Sequence, residues 1–133
     1  MLGEVHQDVD ADQVRGVILT SGKVYYELVE RREKEGFDHV AIARVEQLYP
    51  FPGDQITELL DGYPNVHHVR WVQEEPENMG AVRFVERKLP PVLPEGIEFS
   101  SVSRDESGSP AGGSATVHDQ EQETILRLAF EGL

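Results

Sequence analysis

Three short stretches of this chain read as strands, the first two apolar at neighbouring as well as alternate positions: residues 15–20 (Arg-Gly-Val-Ile-Leu-Thr), 39–44 (His-Val-Ala-Ile-Ala-Arg) and 69–74 (Val-Arg-Trp-Val-Gln-Glu). Successive side chains of a strand point to opposite faces, so a run that is apolar at both parities must be covered above and below. Helical periodicity fills the gaps between these runs. Over residues 23–35, Val24, Tyr25, Leu28 and Val29 share one helical face, and Glu27 with Arg31 and Glu30 with Lys34 form i,i+4 pairs on the exposed side. Gly36 ends that helix as its C-cap residue. Residues 49–52 (Tyr-Pro-Phe-Pro) read as a loop because two prolines interrupt them, and a second helix follows over about residues 53–60, ended by Gly62. Met79, Val82, Val85 and Leu89 give a third helical stripe that Pro90 and Pro91 terminate. Residues 97–102 alternate apolar and polar, as an edge strand with one wet face would, and Gln122, Ile125, Leu126, Ala129 and Phe130 mark a last amphipathic helix closed by Gly132. Residues 2–9 can add one more strand. Strands that alternate with helices need crossover connections, so the pattern predicts an α/β fold: a mostly parallel sheet in a three-layer α/β/α sandwich.

At 133 residues with 38% hydrophobic side chains the chain closes one core, and we read residues 1–133 as a single domain. Residues 107–114 (Ser-Gly-Ser-Pro-Ala-Gly-Gly-Ser) make a flexible or tightly turned loop, within 105–116, rather than an element. Twelve basic against 25 acidic residues, a net charge of −13, repel phosphate backbones and anionic bilayers, which argues against nucleic acid or membrane partners. The absence of cysteine excludes disulfides, thiolate nucleophiles and cysteine-based metal sites. The N-terminal stretch carries Glu4, Asp8, Asp10 and Asp12 where a secretory signal would be basic and then apolar, and no run approaches the ~20 apolar residues of a membrane span. The expectation is a soluble intracellular domain, cytoplasmic, or in the mitochondrial matrix if the source is eukaryotic.

Candidate chemistry is sparse. Residues 20–23 (Thr-Ser-Gly-Lys) lie where a strand end meets a helix N-terminus, and Lys23 can hold a phosphate or carboxylate there. The same residues also read as a plain helix start, with Ser21 as N-cap and Gly22 as turn residue, and no complete phosphate-binding loop is present. His67 and His68 with Glu74 and Glu75 have the ligand types of a metal site, but adjacent residues on an extended chain diverge, and they read as solvated histidines and a charged strand end. Ser107 or Ser109 with His118 makes a nominal triad without a nucleophile elbow. His118, Glu121 and Gln122 stand at the start of the last helix, where Glu121 suits the helix dipole. The loop of Tyr49, Pro50, Phe51 and Pro52 fits a docking surface as well as a structural plug. No residue is assigned as catalytic or as a metal ligand.

Four stretches taken together resemble one family, the C-terminal domain of the E1 component of 2-oxoglutarate dehydrogenase. They are residues 17–26 (Val-Ile-Leu-Thr-Ser-Gly-Lys-Val-Tyr-Tyr), 40–52 (Val-Ala-Ile-Ala-Arg-Val-Glu-Gln-Leu-Tyr-Pro-Phe-Pro), 71–81 (Trp-Val-Gln-Glu-Glu-Pro-Glu-Asn-Met-Gly-Ala) and 104–122. The last is similar to the family's Arg-x-x-Ser-Ala-Ser-Pro-Ala-Thr-Gly run with a downstream His-x-x-Glu-Gln, although Gly108 and Gly112 replace the usual Ala and Thr, and Asp105 and Glu106 replace a pair of prolines. The resemblance implies a transketolase C-terminal-domain-like sheet of five strands whose first strand is antiparallel to the rest. It implies a part in the thiamine-diphosphate-dependent oxidative decarboxylation of 2-oxoglutarate, with the succinyl group passed to the lipoyl arm of E2. Thiamine diphosphate and Mg²⁺ belong to earlier domains of such enzymes, whose Gly-Asp-Gly motif is missing here, so no cofactor is expected in this chain. The implied partners are the N-terminal and catalytic domains of E1, a second E1 in a homodimer, and the E2 succinyltransferase. The implied role is dimer assembly and active-site support, with Tyr49, Pro50, Phe51, Pro52 and His118 as interface candidates. An effector would meet Lys23, Arg44, Gln73, Ser107 and Ser109. The alternative is a freestanding regulatory module for an anionic metabolite such as acetyl-CoA or AMP.

Overall fold

The three strand-like runs form the middle of one sheet. In the computed structural model, which describes residues 2–5, 10–104 and 115–133 and the side chains of 10–104 and 119–133, they are β2 (Gly16–Thr20), β3 (Val40–Val45) and β4 (His68–Pro76). With β1 (Leu2–Val5) and β5 (Glu98–Arg104) the strand order is β1-β3-β2-β4-β5. β2 pairs in parallel with β3 from Gly16↔Val40 to Thr20↔Arg44 and with β4 from Gly16↔His68 to Thr20↔Val72. β5 joins β4 in parallel, so β2 to β5 form a four-stranded parallel sheet, and β1 lies antiparallel beside β3.

Parity along the strands then sorts the core into two layers. Val17, Leu19, Ala41, Ala43, Val69 and Trp71 face one side, where α2 (Gly53–Asp61) contributes Ile56 and Leu60 and α3 (Val82–Lys88) contributes Val82 and Val85. Ile18, Val40, Ile42 and Val72 face the other, under Leu28 of α1 (Val24–Glu35) and Ile125 and Ala129 of α4 (Ala115–Phe130). Both faces of the central strands are thereby dry, which is the three-layer sandwich their composition requires.

Several local expectations are corrected. Ser21 does not cap α1: Lys23 occupies the N-cap with no side-chain bond, and Gly22, at φ 78°, makes the left-handed turn before it. Arg31 turns away from Glu27 toward Glu35 and, at 2.7 Å, toward Glu123 of α4, because the adjacent helix offers a carboxylate on the face that α1 presents to it. Met79 precedes α3 and is 59% exposed; Gly80, at φ 69°, separates it from the helix. β5 is half-buried along its length after Glu98 rather than alternating, since α3 touches one of its faces and α4 the other. The last two positions of the loop expected over 105–116 belong to α4, and residues 105–114 lie outside the described ones.

One buried cation organises the α1/α4 layer. Arg70 lies on the face of β4 that meets α4, and its Nη1 donates to the carbonyls of Leu128 (2.9 Å), Ala129 (3.0 Å) and Glu131 (2.7 Å). Leu128 and Ala129 lie in the last turn of α4 and Glu131 just beyond it, Leu128 also accepting from the Glu131 N–H at 3.3 Å, and the helix dipole favours a positive charge there. Arg70 Nε donates to Ser100 Oγ at 2.9 Å, and the same hydroxyl is hydrogen-bonded to His68 Nε2 at 2.6 Å. On the other side of the ring, His68 Nδ1 faces Glu98, 3.7 Å away. Burial holds the His68 pKa below the ordinary imidazole value, the Arg70 charge lowers it further, Glu98 opposes and His67 adds to the depression. Beyond the helix, Leu133 packs on Gly16, where a Cβ would stand 3.0 Å from the Leu133 Cβ.

Two outcomes follow from this network. Arg70→Met removes the guanidinium donor from three carbonyls at the end of α4 and should cost about 3 kcal/mol in urea unfolding, with amide exchange rising first along α4. The depressed His68 pKa means that the unfolded chain binds a proton more readily than the folded one. Stability should therefore be full above about pH 6.5 and fall as pH drops from there through the lower folded value. His68→Gln should flatten that segment of a plot of urea midpoint against pH, and an unchanged slope would remove His68 as its source.

Candidate functional site

The C-terminal ends of β2 to β5 share one edge of the sheet, the edge at which open α/β sheets collect ligand-binding groups. Lys23 is exposed there at the start of α1. Thr20 is fully buried, with Oγ1 donating to the Val72 carbonyl at 2.6 Å, so its hydroxyl serves the sheet. Arg44 is half-buried: Nη1 donates to the Tyr26 hydroxyl (3.1 Å), Nη2 pairs with Glu46 (2.9 Å), and the guanidinium carbon lies 5.9 and 5.6 Å from the Tyr25 and Tyr26 ring centroids.

Gln73 is on the opposite face. Arg44 is in register with Thr20 and Thr20 with Val72, so one residue further along β4 the side chain turns under α2 and α3. There Gln73 is 1% exposed; Oε1 accepts from Trp71 Nε1 at 2.9 Å, and Nε2 donates to the carbonyls of Glu75 (3.2 Å), Pro76 (3.1 Å) and Met79 (2.9 Å). This pins the β4–α3 turn to the core. A Cβ on Gly80 would approach Gln73 Nε2 to 3.1 Å, so the turn closes directly over the amide. The sheet thus separates Gln73 from Arg44 rather than bringing the two together. Ser107 and Ser109 lie outside the described residues, and His118 lies in α4 with its side chain outside them.

A cluster at the same edge was not foreseen. Arg104 Nη1 pairs with Glu121, Nη2 donates to Gln122 Oε1 (2.8 Å) and Nε to the Glu74 carbonyl (3.0 Å). Gln122 Nε2 in turn donates to Glu27 (2.8 Å) and Glu74 (3.0 Å), so one amide ties α1, β4, β5 and α4. Reading Glu27 as a helix-surface pair and Glu74 as a strand end hid this. The available signal was that Arg104 opens, and Glu121 and Gln122 close, the same motif-bearing stretch.

The four-residue loop after β3 packs on α3. Tyr49 is 72% exposed with its ring centroid 4.4 Å from that of Phe84, and Phe51 meets Phe84 edge-on at 5.9 Å. A cleft of about 510 Å³ opens beside it, lined by Pro50, Phe51, Pro52, Asp54, Lys88 and Val92. A wider hollow of about 950 Å³ lies at the opposite, N-terminal edge, lined by Arg15, His39 and His67 with Asp12 and Asp38. His67 and His68 sit at that end of β4, far along the strand from Glu74 and Glu75. Among the described residues no three His, Asp or Glu side chains are arranged to hold a metal ion. No described helix is long and apolar enough to cross a membrane.

Comparison with known proteins bears on what such an edge serves. Residues 1–130 match the family model described as 2-oxoglutarate dehydrogenase C-terminal. The 2-oxoglutarate dehydrogenase E1/E2 component of Corynebacterium glutamicum is 45% identical over 122 residues, 92% of this chain and 10% of that protein. A multifunctional 2-oxoglutarate metabolism enzyme of Mycobacterium sp. (strain KMS) is 48% identical over 124 residues, 92% of this chain and 10% of its own. The 2-oxoglutarate dehydrogenase E1 component of Geobacillus kaustophilus is 42% identical over 122 residues, 91% of this chain and 13% of its own. The chain therefore spans roughly a tenth of the length of these relatives. Among solved structures, a split-gene transketolase described as an inactive β4 tetramer covers 86% of this chain and 39% of its own at TM-score 0.49 and 13% identity.

The buried amide yields a direct test. Gln73→Leu strands the Trp71 N–H and takes one donor from the Glu75, Pro76 and Met79 carbonyls, and should cost about 2 kcal/mol by urea unfolding. Exchange of the Met79 amide, which donates to Pro76 at 2.9 Å, should accelerate well beyond the global change.

Proposed function

We propose that this chain, which belongs to the 2-oxoglutarate dehydrogenase C-terminal family, is a non-catalytic assembly domain of an E1 component that oxidatively decarboxylates 2-oxoglutarate. One observation carries the reading. At the C-terminal edge of the sheet Arg44 is engaged by Tyr26 and Glu46 and Arg104 by Glu121 and Gln122, and on the opposite face Gln73 is engaged by Trp71 and the β4–α3 turn. What is turned outward is the start of the aromatic loop, Tyr49 and Pro50, suited to docking, while Phe51 packs on Phe84 and the core and Pro52 is buried. Thiamine diphosphate, Mg²⁺, the catalytic domains and E2 then belong to the complete enzyme, and this domain supports the dimer and the active-site walls.

A second reading, an anionic effector such as acetyl-CoA or AMP at the same edge, is favoured by exposed Lys23 at the start of α1, with Ser107 and Ser109 as further candidates. One experiment addresses both. Residues 1–130 replace the matching segment of the Geobacillus kaustophilus relative, and 2-oxoglutarate turnover is measured with thiamine diphosphate and Mg²⁺, with and without acetyl-CoA or AMP. Turnover by the chimera, none by a relative lacking the segment, and none by the isolated chain is the expected result; turnover by the isolated chain overturns the assembly reading. A metabolite response that Lys23→Ala abolishes favours the effector role, and an unresponsive chimera counts against it.

A further inference from the structure

α2 and α3 lie side by side on one face of the sheet with opposite charge. Every charged residue of α2 is acidic, and Asp54, Glu58 and Asp61 are all exposed. α3 exposes Arg83, Arg87 and Lys88, three of the chain's 12 basic residues on a seven-residue helix. These charges are left largely unused by their own chain. Arg87 and Lys88 only lean on the Phe84 ring, at 5.7 and 6.0 Å, and among the described residues neither they nor Asp54, Glu58 and Asp61 form an ion pair. Asp54 of α2 and Lys88 of α3 line the same cleft, and the exposed apolar side chains Tyr49 and Val92 border it.

An acidic strip and a basic strip flanking an apolar seam form a self-complementary surface. A two-fold axis through the seam sets the α3 of each copy against the α2 of the other, so every contact occurs twice and no like charges are opposed. We infer that the α2/α3 face is an isologous interface between two copies of this chain, with Tyr49, Phe84 and Val92 at its centre and Arg87 and Lys88 meeting Asp54 and Glu58 at its flanks. The inference rests on the assembly reading above and names its surface. Two chains of net charge −13 repel at long range, but salt at physiological strength screens that field over about 8 Å while contact pairs persist.

The test is a charge swap followed by sedimentation equilibrium of the 133-residue chain at physiological salt. Reversing α3 (Arg87→Glu with Lys88→Glu) and, separately, reversing α2 (Asp54→Lys with Glu58→Lys) should each raise the dimer dissociation constant about tenfold or more. Mixing the two variants should restore association, because each reversed helix then faces its complement. Circular dichroism checks the fold, and Arg87→Gln with Lys88→Gln replaces any reversal that fails to fold, with a smaller loss expected. A wild-type chain that stays monomeric overturns this proposal together with the dimer role. Wild-type dimers indifferent to both reversals leave that role standing and overturn this surface, as does a mixture that fails to recover.

Discussion

A guanidinium under the end of a helix sets the terms for half of this molecule. Placing the Arg70 charge between sheet and helix is costly unless its donors find acceptors, and the carbonyls of Leu128 and Ala129 in the last turn of α4 and of Glu131 just beyond it provide them at 2.7 to 3.0 Å. The arrangement is mutual. The helix end needs donors and the buried cation needs acceptors, so neither is stable without the other, and the axial position of α4 over β4 follows from satisfying both. His68 is drawn in through Ser100, whose hydroxyl bridges it to Arg70. Arg32 does a similar service near the end of α1, where its buried Nε reaches the Val40 carbonyl at 2.7 Å. The layer that looks purely apolar in its helical stripes is located by two cations.

The opposite layer is held by a neutral group. Gln73 spends its amide on one indole and three turn carbonyls, so the path from β4 into α3 is fixed from inside. A neutral amide can be buried completely at lower cost than a charge, which suits a position beneath Trp71 in the core. The same economy makes it unsuitable as a ligand group, since each of its polar atoms already has a partner.

Much of the architecture was legible because it depends on area. Runs apolar at both parities must be dry on both faces, and residues 15–20 and 39–44, with 69–74, became the three adjacent central strands. What failed depends on direction. Ser21 has the chemistry of an N-cap, yet the left-handed turn at Gly22 moves the helix start two residues on. Glu27 and Arg31 have ideal spacing, but α4 offers each a better partner across the helix pair. Met79 fits the helical stripe in phase and lies before the helix in space, because Gly80 interrupts it. For the candidate site, Lys23 and Arg44 were placed on the correct edge, whereas the role of Gln73 required knowing which face of β4 it occupies, and a one-residue change in register exchanges the faces. The Arg104–Gln122 cluster spans residues far apart in sequence, and no local period encodes such a meeting.

Charge distribution connects these points to function. Of the basic residues, those that face the interior are committed there: Arg32 and Arg70 to backbone carbonyls, Arg104 to Glu121 and Gln122, and Arg31 to Glu123. Arg15, Lys23 and Lys34 stand singly at the surface, while Arg83, Arg87 and Lys88 are gathered on α3. With 25 acidic residues over the whole chain, a molecule arriving by long-range attraction therefore meets a concentrated positive surface at α3, beside the aromatic loop. An anion approaching the C-terminal edge instead passes Glu27, Glu46, Glu74 and Glu121, whose nearby cations are already engaged. Docking and small-anion binding are thus opposed by the same arrangement of charge, and the sequence that strengthens one surface weakens the other.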